Sequence, residues 1–119
     1  MKHRHGNRIL SRTADKRRHL LQNLSSALLR HHRIITEEAK GKELKKWFEP
    51  LITEARKEMT LHRRRRLLSV LQTRDELNDL MALAVATKNR PGGYLRLTKL
   101  PTQRSDGART VRVELVDQV

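Results

Sequence analysis

The sequence has no cysteine and very few aromatic residues, with one tryptophan, one tyrosine and one phenylalanine among 119 residues. Without cysteine, disulfides and cysteine-ligated zinc sites are excluded. No apolar run approaches the ~20 residues that a membrane-spanning helix needs. The basic start is not followed by the apolar stretch of a secretory signal peptide, although an Arg-rich, acid-poor start is also typical of organelle transit peptides. We therefore expect one small domain with at most a tail, and no membrane span.

The patterns that catalysis needs are also missing. The sequence has no paired carboxylates, no metal-ligand spacing and no phosphate-binding loop. His31 and His32 are neighbours on a predicted helix and point about 100° apart, so they cannot chelate one ion. The sequence therefore predicts a protein that is not an enzyme and that needs no cofactor, no metal and no small-molecule substrate.

Positive charge is what the sequence has in excess. The 27 lysines and arginines outnumber the 13 acidic residues, which gives a formal net charge of +14. The excess falls into three blocks, with +8 over residues 1–33, +5 over 60–74 and +3 over 90–119, whereas 34–59 and 75–89 carry 0 and −2. Self-repulsion of this size calls for a polyanionic partner, either nucleic acid or an anionic membrane. The clustering is typical of a binding footprint.

The first block opens with "MKHRHGNRILSRTADKRR", which has too little apolar surface to collapse on its own. One interpretation is a solvated, disordered arm. We favour an arm that becomes ordered on a folded nucleic acid, where phosphates offset the ordering entropy. An amino terminus with histidine third also has the geometry of a Cu(II) or Ni(II) site, which we rank well below RNA contact. The predicted contacts of this block are Lys2, His3, Arg4, His5, Arg8, Arg12, Lys16, Arg17 and Arg18.

The other two blocks contain "HRRRR" and "RPGGYLR". Four consecutive arginines span more than one helical turn, so at least one should pair with a carboxylate or lie against the protein while the others face solvent or phosphate. The glycine pair makes a turn after a helix, and it also lets backbone amides approach a phosphate closely. We expect Tyr94 to pack rather than to stack on a base. The predicted contacts here are Arg63, Arg64, Arg66, Arg90, Gly92, Gly93 and Arg96.

Four threonines mark the predicted starts of four helices. Thr13, Thr36, Thr60 and Thr73 can each accept a hydrogen bond from the first turn of the helix that follows. Glu76 stands three residues after Thr73, the spacing of a capping box. The third predicted helix carries the arginine cluster, and the fourth is the clearest helix in the chain.

Apolar residues recur at helical spacing after three of these caps. Trp47 and Phe48 lie on the stripe of the second helix and are expected in the core. Pro50 interrupts the same helix, which predicts a kink or two abutting helices. The predicted buried positions are Leu20, Leu21, Leu24, Ala27 and Leu28, then Leu44, Trp47, Phe48, Leu51, Ile52 and Ala55, then Leu77, Leu80, Met81, Ala84 and Val85.

The sequence after residue 93 changes to the alternation of strands. In "YLRLTKL" Leu95 and Leu97 occupy one face and Tyr94, Arg96 and Thr98 the other, and in "TVRVELV" Val111, Val113 and Leu115 point inward. Two strands alone are marginal, so we expect Ile34 and Ile35 to contribute a third, with the helices on one face of the sheet. The predicted fold class is α+β, with four or so helices on a three-stranded sheet. Residues 1–13 are expected to form an extended RNA-binding tail and 14–119 one globular domain.

These motifs, in this order, resemble the bacterial large-subunit ribosomal protein family numbered seventeen. The likeness spans nearly the whole chain, from its first residue, through "IITEEAKGKELKKWFEPLITEA" and "HRRRRLL" to "RPGGYLRL" and "VRVELVD". The chain departs from the family at Lys16, at Leu95 and in the turn "RSDGAR". The positions that match are Lys2 (usually Arg in the family), His3, Arg4, Leu10, Arg12, Arg17, Asn23, Glu49, Pro50, Arg64, Gly92, Gly93, Tyr94 and Glu114.

The resemblance implies a small α+β domain with a short mixed sheet and a basic N-terminal extension. It also implies a structural constituent of the large ribosomal subunit in the cytoplasm. Such a protein binds large-subunit ribosomal RNA near the exit of the peptide tunnel, beside neighbouring ribosomal proteins. With so few aromatic residues, we expect phosphate neutralisation and shape recognition to outweigh base stacking. The alternatives are a DNA-binding protein and a peripheral membrane binder. The membrane binder is disfavoured because the aromatic residues lie on a near-neutral helix.

Overall fold

The computed structural model describes residues 8–101 and 105–116, which form four helices and three strands. The predicted α+β class is confirmed. The boundary between a tail at 1–13 and a domain at 14–119 stays a prediction, because residues 1–7 and 117–119 lie outside the described residues. In chain order the elements are α1 (Ala14–His31), β1 (Arg33–Glu37), α2 (Glu38–Ala55), α3 (Leu61–Val70), α4 (Arg74–Ala86), β2 (Leu95–Lys99) and β3 (Thr110–Leu115).

Three of the four predicted threonine caps are confirmed. The hydroxyls of Thr13, Thr60 and Thr73 accept hydrogen bonds from backbone amides three residues further on, at 3.4, 3.2 and 3.2 Å. The cap predicted at Thr36 is wrong. The hydrogen bonds of β1 with β3 continue through Glu37, so α2 starts one residue later and its cap has no side-chain hydrogen bond.

The sheet is antiparallel throughout, with strand order β1–β3–β2, so the mixed sheet implied by the resemblance is wrong. β2 and β3 form a hairpin-like pair, and β1 pairs with the other side of β3. The two strands that run in the same direction, β1 and β2, are therefore separated by the oppositely directed β3. No parallel pair forms among the described residues.

The core lies between one face of the sheet and the helices, mainly α2. Leu44, Phe48 and Ile52 are fully buried on α2, opposite Val111 and Val113 of β3. At Gly41 the helix comes so close to the sheet that a Cβ atom there would lie 2.7 Å from Cγ2 of Val111. Glycine at this position therefore lets α2 pack more closely on β3 than a residue with a side chain would allow.

Two helices differ from their predicted stripes. In α1 the buried residues are Leu21, Ser25, Leu28 and Leu29, so the buried face is rotated from the predicted one that included Leu20 and Ala27. Val85 of α4, which we expected in the core, is 71% exposed. α2 runs unbroken from Glu38 to Ala55 with Pro50 inside it, so two abutting helices are not formed. Among the helices of the described part, none is long and apolar enough to span a membrane.

Candidate nucleic-acid interface

One side of α2 brings the three basic blocks together. Glu43, Lys46, Pro50 and Glu54 follow each other at the spacing of one helical face, and we call these four residues the α2 flank. Arg8, Arg17 and Arg18 from the first block line a cavity with Glu43 and Lys46. Gly92 and Gly93 from the third block line a groove with Lys46, Pro50 and Glu54. Arg63 and Arg66 from the second block pair with Glu54. Blocks that are far apart in sequence are thus neighbours along one helix.

The N-terminal segment reaches the α2 flank through Arg8. Its Nη1 lies 3.2 Å from Oε1 of Glu43, whose side chain is only 5% exposed, and Lys46 Nζ lies 3.4 Å from the same oxygen. Leu10 and Ser11 have positive φ angles, and the amide of Arg12 donates to the carbonyl of Ile9, so the chain turns before α1. The first described residue of the predicted tail is therefore held against the domain.

Glu43 is ionised in spite of its burial. Burial is the largest influence on this carboxyl and favours the protonated form, but hydrogen bonds from the backbone and side chain of Arg8 and from Lys46 outweigh it and lower the pKa of Glu43 below 4.5. The carboxylate offsets one of these two positive charges and fixes the position of Arg8.

The arginine cluster of α3 is oriented by a second carboxylate. Arg63 Nε lies 3.0 Å from Oε1 of Glu54, and Arg66 Nη1 lies 3.5 Å from the same oxygen. The prediction that at least one arginine of the cluster pairs with a carboxylate is therefore confirmed. The hydrogen bond from Arg63 is the main reason that the pKa of Glu54 lies below 4.5, with Lys57 and Arg66 adding to it. Arg64 is half-buried, whereas Arg65 and Arg66 are exposed.

Acid should weaken the fold through these two carboxyl groups. Because the pKa values of Glu43 and Glu54 are lower in the folded than in the unfolded chain, their stabilising effect is complete above about pH 4.5 and is lost as the pH falls through the folded values. We expect the urea midpoint to stay level from neutral pH down to about 5 and to fall below about 4.5. A variant with Glu43→Gln and Glu54→Gln should start lower at neutral pH and decline less on acidification.

The matched control for this titration is Glu58→Gln, which changes an exposed glutamate. It should reproduce the acid decline of the natural sequence. If the double variant declines as steeply as that control, the two ion pairs do not carry the acid sensitivity.

Arg56 was missed by sequence reasoning, and it organises the loop with Gly92 and Gly93. Its guanidinium donates to the carbonyl of Arg90 at 2.5 Å, to the carbonyl of Lys88 and to the hydroxyl of Tyr94. It also lies over the Tyr94 ring, with Cζ 5.7 Å from the ring centroid. No spacing rule links a cation just after α2 to acceptors more than 30 residues later, so nothing in the sequence marks it.

The loop itself has the open glycines that the sequence indicated. Gly93 has φ +65°, and a Cβ atom at Gly92 or Gly93 would meet nothing within 4 Å, so both backbones face open space. Arg90 Nε donates to the carbonyl of Gly93 at 3.2 Å. Tyr94 is 1% exposed, which confirms that it packs. Glu49 of α2 accepts the amide of Leu95 at 3.1 Å and fixes where the loop enters β2.

The remaining predicted contacts lie in several places. Arg12 and Lys16 are exposed at the start of α1, and Arg17 Nη1 donates to the carbonyl of Arg12 at 3.5 Å. Arg96 is exposed on the sheet face away from α2, opposite Glu114 in the strand register. It therefore lies apart from the loop that precedes it in the sequence. The predicted contacts Lys2, His3, Arg4 and His5 lie outside the described residues.

Trp47 is only half in the core. Phe48 is fully buried as predicted, but Trp47 is partly buried and lines the cavity between α1 and α2. Its indole Nε1 is buried and has no hydrogen-bond partner among residues 8–101 and 105–116. Such groups are rare, since a buried donor without an acceptor costs about 1–3 kcal/mol. In the described part of the chain no three His, Asp or Glu side chains are grouped to hold a metal ion.

A small, strongly basic α+β domain with cations of two basic blocks gathered beside one helix has the features that are typical of polyanion-binding proteins. The family model described as "Ribosomal protein L17" matches residues 20–116. The large ribosomal subunit protein bL17 of Salinibacter ruber is 42% identical over 118 residues, which are 98% of this chain and 59% of that protein. The protein of the same name from Gemmatimonas aurantiaca is 43% identical over 117 residues, 98% of each chain. The chain therefore belongs to the ribosomal protein L17 family.

Membership confirms the resemblance seen in the sequence. This is a family of structural, non-enzymatic proteins, so the prediction that the chain is not an enzyme is also confirmed. The chain spans 59% of the length of the Salinibacter relative and nearly all of the Gemmatimonas relative.

Proposed function

We propose that this chain is a structural constituent of the large subunit of the cytoplasmic ribosome and binds large-subunit ribosomal RNA along the α2 flank. The observation that carries the proposal is that cations of the first two basic blocks and the glycine loop of the third block meet on one helix face, where a folded RNA backbone can lie against positive charge and backbone amides. The position near the peptide tunnel exit, and the neighbouring ribosomal proteins as further partners, rest on the family alone.

Binding is by phosphate neutralisation and by shape. Arg17, Arg18 and Lys46 line the cavity beside α1, and each can replace a counterion on a phosphate. Glu43 holds Arg8 and Lys46 in position and Glu54 holds Arg63 and Arg66, which lowers the entropy that these cations lose when RNA binds. The guanidinium of Arg63 is held in place because its Nε donates to Glu54 and its Nη1 donates to the carbonyl of Glu58.

The glycine loop adds backbone donors to this surface. Because neither Gly92 nor Gly93 carries a side chain, a phosphate can approach the main chain closely in the groove between the loop and α2, which has a volume of about 570 Å³. Arg56 holds the loop through its hydrogen bonds to the carbonyls of Lys88 and Arg90, so the loop has its geometry before RNA binds. A preformed loop loses less ordering entropy on binding than a mobile one.

Competition between RNA and DNA tests the proposal. The full chain is bound to a folded fragment of large-subunit ribosomal RNA on filters, and unlabelled duplex DNA or the same RNA is added at equal phosphate concentration and physiological salt. We expect the RNA to compete at least ten times more effectively than the duplex, because a folded RNA matches the shape of the surface as well as its charge. Equal competition contradicts the proposal and favours a DNA-binding protein.

The membrane alternative is tested on the same preparation. Vesicles that contain an anionic phospholipid should compete weakly, since the described aromatic residues are buried or half-buried and offer no apolar anchor. Strong retention on such vesicles, with RNA unable to displace the protein, contradicts RNA as the partner.

A further inference from the structure

We propose that the cavity beside Trp47 takes one unpaired nucleotide of the bound RNA, with its base against Trp47 and its phosphate among Arg17, Arg18 and Lys46. This inference rests on the proposed function, since it names the part of the RNA that this surface would hold. The groove beside the glycine loop has the buried Tyr94 and two lysines, whereas this cavity combines the partly exposed Trp47 with four cations.

The cavity is apolar on one side and positively charged at its rim. Ala14, Leu21 and Trp47 supply an apolar side, and four cations, among them Arg17 and Arg18, supply the rim. A bare phosphate needs only the rim, and an apolar ligand needs only the wall. A nucleotide has a flat apolar ring joined to an anion and therefore matches both parts at once.

The size of the cavity fits a nucleobase. Its volume is about 260 Å³, whereas an apolar cavity of roughly 150 Å³ already holds a benzene ring. The cavity opens to solvent between the start of α1 and the middle of α2, so a base can enter while its backbone stays outside. A base inside a duplex cannot make this contact, because its faces are covered by its neighbours.

Glu43, the acidic residue that lines the cavity, does not prevent an anion from binding there. Glu43 is already paired with Arg8 and Lys46, at 3.2 and 3.4 Å. Arg18 forms an exposed pair with Asp15 at 3.5 Å, so the four cations of the rim face two carboxylates and an excess of positive charge remains.

Trp47 offers a donor as well as a ring. Its buried Nε1 has no acceptor within the described residues, and an RNA oxygen can supply one if a rim side chain swings aside. The ring contact does not depend on this movement.

The intrinsic tryptophan fluorescence reports on the cavity, because Trp47 is the only tryptophan of the chain. The full chain is titrated with a single-stranded RNA of about ten nucleotides, a common site size, then with an RNA duplex and with inorganic polyphosphate at equal charge and salt. We expect strong quenching of the Trp47 emission by the single strand and little by the other two. Equal quenching by polyphosphate overturns the proposal, because it shows that a phosphate without a base occupies the cavity.

Three variants separate stacking from structure, with binding followed by the anisotropy of a labelled single strand. Trp47→Leu keeps an apolar side chain but removes the stacking ring, so the affinity should fall about tenfold. Trp47→Phe restores a ring and should recover most of that loss. Val85→Leu, at an exposed position on α4, is the control and should change nothing. Each variant is first shown by circular dichroism to be folded.

The results distinguish this proposal from the broader one. If Trp47→Leu binds single-stranded RNA as well as the natural sequence and Trp47 is not quenched, the nucleotide site is wrong while RNA binding along the α2 flank stands. If no RNA binds to the natural sequence, the proposed function itself fails. Quenching by an acidic peptide but not by RNA also overturns both.

Discussion

Replacing Arg17, Arg18 and Lys46 together by glutamine is expected to lower the affinity for folded large-subunit RNA about 100-fold at physiological salt. Each of these cations lines the cavity on the α2 flank, and each phosphate contact releases about 0.9 counterion from the RNA. The slope of log K against log salt should therefore fall by about 2–3 in the triple variant. Filter binding of the full chain at several salt concentrations measures both quantities.

The control has the same change in net charge at other places. Arg30, Arg74 and Lys88 are exposed and line neither the cavity nor the groove on the α2 flank. Their joint replacement by glutamine should lower the affinity less than about fivefold, through the general field alone. If both triple variants lose affinity equally, the RNA responds to net charge and the α2 flank is not its binding surface.

Replacing Arg56 by alanine is expected to lower the free energy of unfolding by about 2–3 kcal/mol and the melting temperature by about 10 °C. The change leaves the carbonyls of Lys88 and Arg90 and the buried hydroxyl of Tyr94 without their donor. It also removes the cation over the Tyr94 ring. Urea denaturation and thermal scans followed by circular dichroism measure the loss.

Two further variants identify the cause. Arg56→Lys keeps a positive charge, but one ammonium group cannot reach several acceptors in different directions, so it should recover less than half of the loss. Lys57→Ala removes a neighbouring cation that forms an exposed pair with Glu54 and should cost less than about 1 kcal/mol. Full recovery by lysine would show that charge, and not the fork of hydrogen bonds, holds the loop.

The local features of the fold could be predicted because their causes are local. A threonine before a helix accepts a hydrogen bond from residues three positions away, and Thr13, Thr60 and Thr73 all do so. Thr36 failed because pairing with β3, about 75 residues later, extended β1 over the cap position. The alternation of β3 also predicted its buried residues correctly, since period two follows directly from the geometry of a strand.

The features that depend on distant contacts could not be predicted. Strand order, and with it the antiparallel sheet, is set by which edges meet in the folded chain. The exposure of Val85 has the same origin, because the apolar spacing of α4 does not say how wide the buried face is. In both cases the sequence pattern is compatible with more than one packing.

The candidate site shows the same division between local and distant causes. The charge blocks could be read from the sequence, and their signs and positions indicated the type of partner. Their meeting beside α2 could not be predicted, because α2 is a near-neutral segment. Its Glu43 and Glu54 pair with cations from other blocks only in the folded chain. Trp47 was predicted as core from its place on the apolar stripe, but the stripe does not show that its edge lines a cavity.

Cross-linking by ultraviolet light in purified large ribosomal subunits tests most directly whether the α2 flank faces RNA. The subunits are irradiated, digested and examined by mass spectrometry for nucleotides attached to peptides of this chain. The account predicts attachment within residues 8–18, 45–47 and 90–94 and none on α4. Attachment confined to α4 or to the sheet face that carries Arg96, with those three segments unmodified, contradicts it.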